Sequence, residues 1–593
     1  MARRALILFL RVSDIGKRKV RLVAPAILLL SLLLEAAPPF PGRRLLLGVL
    51  SLAIPLLYLG EDVEKAWRSP SPLRHLRQRW LDLLVLATVG IFGLQRASLL
   101  LEPGAFGAPS AIQRLAFYST VFYTAALVKL VTRARRAADL LAQLDLRPSQ
   151  TIAASFLGAA LLGSLLLTLP QATVSGVGTS FVDALFMAMS GVCVTGLVVL
   201  DIGTQYTLFG QLVILALIQA GGLGIMTLAA LATAFAGRRL RVRDQVALQG
   251  ALDAEAIGTI RQTIRAIVFS TFLTETLGSA ALFLRWRAEG PEPWIVAYRA
   301  VFHSISAFCN AGFSLFTDSL VRYAGDPITV LTFTSLIILG GLGFPVLATL
   351  SDLFRKTPAF RLEAPGRRGW TRLTLHTKVA LIVTAVLLVG ATALLLALEW
   401  GHTLAGRPLT EKLLVAYFHA VTPRTAGFNT VPIADLAPAS LFLLIVLMFI
   451  GGCPGGTAGG IKTTTVGVMT ATLQAILRNR DRVEVFERTI PQGLVNKAIA
   501  VTLVALAAVA LAIFGLALTE SGPFISLAFE AVSAFGTVGL SMGVTPSLSD
   551  AGKLIVTATM FVGRIGPLTL ALALAERPLA AQVIYPTDRV MIG

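Results

Sequence analysis

The sequence predicts an all-α polytopic membrane protein: four M1-P-M2 repeats, each a span, a re-entrant half helix and a second span, in pseudo-fourfold arrangement around a pore and preceded by about four extra transmembrane helices. Three observations carry this reading. The 593 residues are 55% apolar and only 14% charged, a balance suited to lipid-facing helices and not to a soluble multidomain chain. Apolar runs of about 20 residues recur along the whole length, each long enough to cross a hydrocarbon core. Between the later runs lie four short segments that resemble one another at a near-constant period.

The charge pattern removes other classes. A net charge of +19 would suit nucleic acid if it formed a basic stripe on a soluble fold, but these Lys and Arg fall in short blocks between apolar spans. Lipid is therefore the expected environment, and no nucleic-acid partner is expected. Cys193, Cys309 and Cys453 have no CxxC spacing, and the five histidines form no HExxH pattern, so neither a zinc site nor a disulfide framework is indicated. No GxGxxG follows a strand pattern, so no nucleotide cofactor is expected in this chain. The first 21 residues have a basic start and a short apolar patch without a small-residue cleavage site, and read as an uncleaved cytoplasmic lead-in.

In chain order, four early spans are expected at 22–37, 45–59, 80–94 and 117–131. Eight more form pairs: 151–170 with 208–235, 257–284 with 329–350, 379–400 with 441–477, and 498–519 with 553–575. This divides the chain into extra helices (1–148), repeat one (149–240), repeat two (241–357), repeat three (358–482) and repeat four with the C-terminus (483–593). Six basic blocks hold 31 of the 51 Lys and Arg and fall on one side if every span crosses once, which predicts both termini in the cytoplasm. Arg43 and Arg44, and the group Arg285, Arg287 and Arg299, fall on the other side.

The four similar segments are FMAMSGVCVTGL from Phe186, FHSISAFCNAGF from Phe302, FHAVTPRTAGF from Phe418 and FEAVSAFGTVGL from Phe529. Their glycines, Gly196, Gly312, Gly427 and Gly539, are separated by 116, 115 and 112 residues. Each segment is too short to span twice as helix. Irregular backbone at membrane depth is tolerated only where protein buries it or water lines it, so four copies around one axis would enclose a polar pathway. Glycine can adopt backbone angles that turn successive carbonyls to that axis. Carbonyl rings replace the hydration shell of an alkali cation, and the negative end of each half helix points at the ion, so a cation-conducting pore follows.

These four motifs in order resemble the selectivity loops of the Trk/Ktr/HKT superfamily of potassium transporters over roughly residues 150–580. The resemblance implies K+ at the filter stretches Val194, Thr195 and Gly196; Asn310, Ala311 and Gly312; Thr425, Ala426 and Gly427; and Thr537, Val538 and Gly539. In that family a serine in the first loop accompanies Na+ preference in some plant members, and all four positions here are Gly, which favours K+. It further implies a pore subunit in the cytoplasmic membrane of a prokaryote, a homodimer of such chains, and a separate cytoplasmic ring of RCK-type subunits that carries the nucleotide. The competing reading is a Na+-coupled or Na+-conducting symporter, which would be expected to show inverted repeats. An intramembrane enzyme lacks a nucleophile-base or metal constellation.

The residues three before each glycine are Cys193, Cys309, Arg424 and Gly536, so the symmetry is at most approximate. A guanidinium facing a cation axis is costly, so Arg424 is expected behind the filter with Glu530 as its partner. Asp183 and Glu530 could attract cations or support the loops, and support is preferred; His303 and His419 lack a third metal ligand. Cys193 and Cys309 read as packing residues. GGLGIMTL from Gly221 and GGLGFPVL from Gly340 stand where the last span has GRIGPLTL; small residues there permit close helix approach or a local break, and close packing is the preferred expectation in repeats one and two. Arg564 lies inside that last span, where the resembling family places an arginine below the filter as part of the barrier to ion flow. GGCPGGTAGGIKTTT, from Gly451, interrupts the apolar run of repeat three at the same level. In the resembling family this is a flexible loop that obstructs the pore. The expected gate is thus Gly455, Gly456, Thr457, Gly459, Gly460, Lys462 and Arg564, with Thr457 and Thr463 to Thr465 offering hydroxyls to the freed backbone.

Overall fold

A computed structural model describes residues 42–67, 80–101, 148–224, 260–289, 292–356 and 373–566, together with the isolated positions Ile27, Ser31, Tyr118 and Phe122. The expected spans at 22–37 and 117–131 lie almost wholly outside the described residues, as do both termini and most of the basic blocks.

Among the described residues the first continuous helices are α1 (Arg43–Trp67) and α2 (Trp80–Leu101), packed against each other. Gly93 makes their close approach possible, because a Cβ there would stand 2.7 Å from the Ser51 carbonyl oxygen. The buried Arg96 donates to Ser51 Oγ and lies over the Phe122 ring.

Four units of like construction follow. The first has α3 (Pro148–Leu167), α4 (Phe181–Cys193) and α5 (Leu208–Leu223). The second has α6 (Ile260–Trp286), α7 (Pro293–Phe308), α8 (Pro327–Leu342) and α9 (Phe344–Lys356). The third has α10 (Leu375–Glu399), α11 (Leu409–Val421), α12 (Pro438–Phe449) and α13 (Thr463–Leu477). The fourth has α14 (Gln492–Thr519), α15 (Phe524–Gly536) and α16 (Asp550–Ile565). In each, the opening helix is the long apolar one: α3, α6, α10 and α14 are all long and apolar enough to cross a membrane. Their outward faces carry exposed leucines, valines and phenylalanines such as Phe272, Val386, Val389, Leu511 and Phe514, the pattern of a lipid-facing surface.

The helix of the expected second span ends at a glycine in units one, two and four, while residues 225–235 and 567–575 of the expected spans lie outside the described residues. α5 stops at Gly224 (φ +78°), α8 at Gly343 (φ +84°) and α16 at Gly566 (φ +92°), all with backbone angles that favour glycine. After Gly343 the chain re-enters a helix, and α8 and α9 meet at 99°. The glycine motifs therefore break the helices as well as pack them. Packing is also present, for a Cβ at Gly221 would sit 2.0 Å from Val192 O and one at Gly340 2.0 Å from Phe308 O.

The short helices α4, α7, α11 and α15 are buried among the others, with Phe186, Phe302, Phe418 and Phe529 fully enclosed. α4 starts at Ser180, whose hydroxyl accepts the Asp183 N–H (3.1 Å). α7 has Pro293 as its first residue, preorganised for a first turn, whereas Pro408 and Pro523 stand just before α11 and α15 with non-helical backbone angles. Beyond α13, strands Glu484–Val485 and Arg488–Thr489 pair as a hairpin whose two turn residues, Phe486 and Glu487, both have positive φ.

Candidate functional site

The four short helices end in the same backbone sequence. An amide four or five residues on returns to the last turn: Thr195 N to Ser190 O (2.8 Å), Ala311 N to Ser306 O (2.8 Å), Ala426 N to Thr422 O (2.9 Å) and Val538 N to Ser533 O (2.8 Å). The residue two before each glycine then adopts positive φ: Val194 (59°), Asn310 (59°), Thr425 (71°) and Thr537 (51°). Such angles cost a non-glycine residue about 1–3 kcal/mol and persist only where the surroundings impose them. The glycines follow at φ +94°, +71°, +75° and +94°.

The glycines meet in a closed ring, in chain order. A Cβ on Gly196 would lie 2.4 Å from Ala311 O and 3.0 Å from Gly312 Cα; one on Gly312 would lie 2.9 Å from Ala426 O and 3.0 Å from Gly427 Cα. One on Gly427 would lie 2.4 Å from Val538 O and 3.1 Å from Gly539 Cα, and one on Gly539 2.2 Å from Thr195 O and 3.0 Å from Gly196 Cα. The structure thus brings all twelve expected filter residues together, with the carbonyl before each glycine set against the glycine of the preceding loop in the ring. Any side chain at these four positions collides with backbone.

Behind the ring stands a set of residues that the sequence reading passed over. Ser190, Ser306, Thr422 and Ser533 are fully buried and bond the loops they precede. A signal was available, since each is the fourth residue after the leading Phe of its segment.

The pair expected between Arg424 and Glu530 is not formed. Glu530 accepts from Ser541 Oγ (2.9 Å) and from Thr545 Oγ1. Arg424 is buried beside Cys453, with its Nε unpaired. Height explains the difference: Glu530 stands nine residues before its glycine and Arg424 only three before its own, an offset of about 9 Å along a half helix.

Asp183 acts as a support. It accepts from Lys553 Nζ (2.6 Å), joining α4 of the first unit to α16 of the fourth, with side chains only 21% and 14% exposed. Lys553→Ala is expected to remove about 1–2 kcal/mol from this seam. The check is the thermal unfolding midpoint in detergent, which should fall in Lys553→Ala and largely recover in Lys553→Arg. An unchanged midpoint would show that the pair does not hold the seam.

The histidines are structural as well. Leu315 N donates to His303 Nε2 (3.3 Å), so the ring proton is on Nδ1, which donates to Arg299 O (2.7 Å). His419 Nδ1 likewise bonds Val415 O (3.0 Å). Among the described residues no group of three or more His, Cys, Asp or Glu is placed to hold a metal.

The glycine-rich segment of the third unit lies between α12 and α13 as an irregular loop, and several of its backbone groups are bonded within the loop and to the neighbouring units. Gly451 N donates to Ile461 O (2.9 Å) and Ile461 N to Phe449 O (3.2 Å), closing its neck. Cys453 N donates to Gly341 O (2.9 Å), Thr457 N to Gly340 O (3.1 Å), and Phe344 N to Gly455 O (3.1 Å), which fastens the loop to the break between α8 and α9. Thr457 Oγ1 reaches Phe308 O (3.3 Å), whereas Thr463 Oγ1 bonds Cys453 Sγ (3.1 Å). Gly459 passes directly against loop four, where a Cβ would stand 2.2 Å from Thr537 Oγ1, and Gly460 (φ +63°) lies against Gly451. Lys462 Nζ folds back on Ala458 O (2.7 Å). Arg564 donates to Thr457 O and to Gly221 O (2.6 Å), so one guanidinium ties the loop to both the fourth and the first units. Each of these bonds pairs a backbone group that would cost several kcal/mol if left unpaired in hydrocarbon.

Long lipid-facing helices around a buried ring of backbone carbonyls define an integral membrane protein of the cation-transporter class. The TrkH family, described as cation transport proteins, matches residues 114–582. Ktr system potassium uptake protein B of Bacillus subtilis is 40% identical over 451 residues, 75% of this chain and 97% of that protein. Its counterpart of the same name in Vibrio alginolyticus is 41% identical over 442 residues, 74% of this chain and 93% of that one. Potassium/sodium uptake protein NtpJ of Enterococcus hirae is 39% identical over 457 residues, 76% and 98% of the two chains. The crystal structure of the potassium transporter TrkH from Vibrio parahaemolyticus matches with a TM-score of 0.59 at 19% identity, covering 84% of this chain and 98% of that one, which bears on the fold alone. The chain belongs to the TrkH family of cation transport proteins; it is a transporter and not an enzyme. α1 and α2 precede the matched stretch.

Proposed function

We infer that this chain is the pore subunit of a potassium uptake system, passing K+ through the ring of Gly196, Gly312, Gly427 and Gly539 past a gate formed by the 455–462 loop and Arg564. The observation that carries this reading is the closure of the four loops in chain order, with the carbonyls of Ala311, Ala426, Val538 and Thr195 against Gly196, Gly312, Gly427 and Gly539, each the glycine of the preceding loop in the ring. Carbonyl dipoles replace hydration without the fixed charge that would trap an ion, and the four half helices direct their negative ends toward the same place. The relatives named as potassium uptake proteins support the choice of ion.

Na+ passage is the second reading, favoured by the relative named as a potassium/sodium uptake protein. The test is K+ and Na+ uptake by cells deficient in K+ uptake. The chain should restore growth at low K+, and Gly196→Ser should shift preference toward Na+, because its Cβ would press on Ala311 O at 2.4 Å. An unchanged K+/Na+ preference in Gly196→Ser would remove the filter assignment.

The proposed setting is the cytoplasmic membrane of a prokaryote with both termini inside, and a homodimer of pore chains. Relatives whose names place them in a Ktr system support a separate regulatory component, for which an RCK-type nucleotide-binding ring is the proposal. No cofactor is assigned to this chain itself.

A further inference from the structure

The four hydroxyls behind the ring share one position in their segments but hold two different groups. In the first and fourth loops the hydroxyl accepts: Gly196 N donates to Ser190 Oγ and Gly539 N to Ser533 Oγ, both at 3.1 Å. In the second and third it donates: Ser306 Oγ to Phe313 O (2.8 Å) and Thr422 Oγ1 to Phe428 O (2.6 Å).

The two arrangements have different consequences for the backbone. A trans peptide directs its C=O and N–H to opposite sides. Holding the Gly196 amide against Ser190 therefore turns the Thr195 carbonyl the other way, and that is the oxygen that presses on Gly539. Holding the Gly539 amide against Ser533 does the same for the Val538 carbonyl, which presses on Gly427. In the second and third loops the tethered group is the carbonyl after the glycine, drawn back to the half helix. Among the described residues no side-chain hydroxyl bonds the corresponding carbonyls of Leu197 and Leu540. Because the ring runs in chain order, the like loops are neighbours: one and four on one side, two and three on the other.

We propose that Ser190, Ser306, Thr422 and Ser533 determine cation selection as two unlike pairs: Ser190 and Ser533 fix the carbonyl level before the glycines, whereas Ser306 and Thr422 withdraw two of the four carbonyls at the next level. The proposal rests on the ring being the filter. It makes the level before the glycines the one that strips and recognises the cation. The next level offers carbonyls from one side only, and a cation resting there keeps water on the other. The hydroxyls are positioning residues that act through the backbone.

The experiment measures K+ and Na+ uptake by the full-length chain in K+-uptake-deficient cells. Ser190→Ala and Ser533→Ala should each lower the K+/Na+ uptake ratio about fivefold or more, in line with the loss of one hydrogen bond to a buried amide. Ser190→Thr, which keeps the acceptor, should restore the ratio. Ser306→Ala combined with Thr422→Val returns two carbonyls to the ring, and should lower the K+ concentration for half-maximal uptake about threefold or more while the K+/Na+ ratio moves far less. If either acceptor variant fails to accumulate in the membrane, the other carries the same bond and decides the matter. A common effect of all four substitutions on the ratio, or an unchanged ratio in the acceptor variants, overturns the two-pair assignment. Gly196→Ser separates the readings: if it alters preference while the serine variants do not, the hydroxyl proposal fails and the filter stands; if neither does, the filter reading has failed.

Discussion

Arg564→Gln should raise K+ uptake by about tenfold or more at a fixed driving force. Two unit charges about 4 Å apart at the effective dielectric of a partly wet protein interact by about 4 kcal/mol, and about 1.4 kcal/mol taken from a barrier is already tenfold in rate. Glutamine can still donate to Thr457 O or Gly221 O, the two carbonyls that Arg564 holds, so the substitution removes the charge more than the tether. Arg564→Lys keeps the charge and should stay near the parent rate. Deleting 455–460 should also raise uptake, since that segment supplies the Thr457 and Gly455 contacts across the break of α8 and α9. The measurement is initial K+ uptake per unit of membrane-inserted protein. Equal rates for Arg564→Gln and Arg564→Lys would remove the electrostatic barrier, and a deletion that inserts normally without faster uptake would remove the loop as gate.

Gly539→Ala should reduce K+ uptake by about a hundredfold or more, with protein still present in the membrane. Its added methyl would stand 2.2 Å from Thr195 O and 3.0 Å from Gly196 Cα, at φ +94°. Neither neighbour is a flexible side-chain end, so both loops must shift, and displaced carbonyls no longer match a dehydrated cation. Gly176 is the appropriate control: it also has positive φ (+69°), but nothing lies within 4 Å of its Cβ position. Gly176→Ala should change uptake by about twofold at most, since only backbone strain on an exposed loop is involved. Comparable losses in the two variants would mean that conformational strain, and not ring closure, governs transport.

Much of the functional site was legible because it is periodic. The near-constant spacing of Gly196, Gly312, Gly427 and Gly539 exposed four equivalent segments, and the prohibition on unpaired backbone in lipid gave them a common purpose. The same spacing contained Ser190, Ser306, Thr422 and Ser533, and these were passed over because serine and threonine are ordinary in buried helices. At GGLGIMTL and GGLGFPVL the sequence leaves close packing and a local break both open, with packing preferred; the structure has both, and an apolar run with glycines looks alike in the two cases until the angle at Gly224 or Gly343 is seen.

Charged residues were the least legible. Glu530 and Arg424 were matched on sign alone, but Glu530 is satisfied by Ser541 and Thr545, 11 and 15 positions further along the chain, and Arg424 faces Cys453. Lys553 finds Asp183 across 370 positions of chain, and Arg564 finds Gly221 across 343.

The sequence by itself determined the membrane class, the four recurring segments and the requirement for glycine in each, because hydropathy, period and the absence of a side chain are properties of the chain alone. Only the tertiary structure decided that the glycines close into a ring in chain order, that like-placed hydroxyls hold amides in two loops and carbonyls in the other two, and that Arg564 binds two separate units. Such partners are set by where the units pack around one another. No spacing along the chain records a contact made between distant segments.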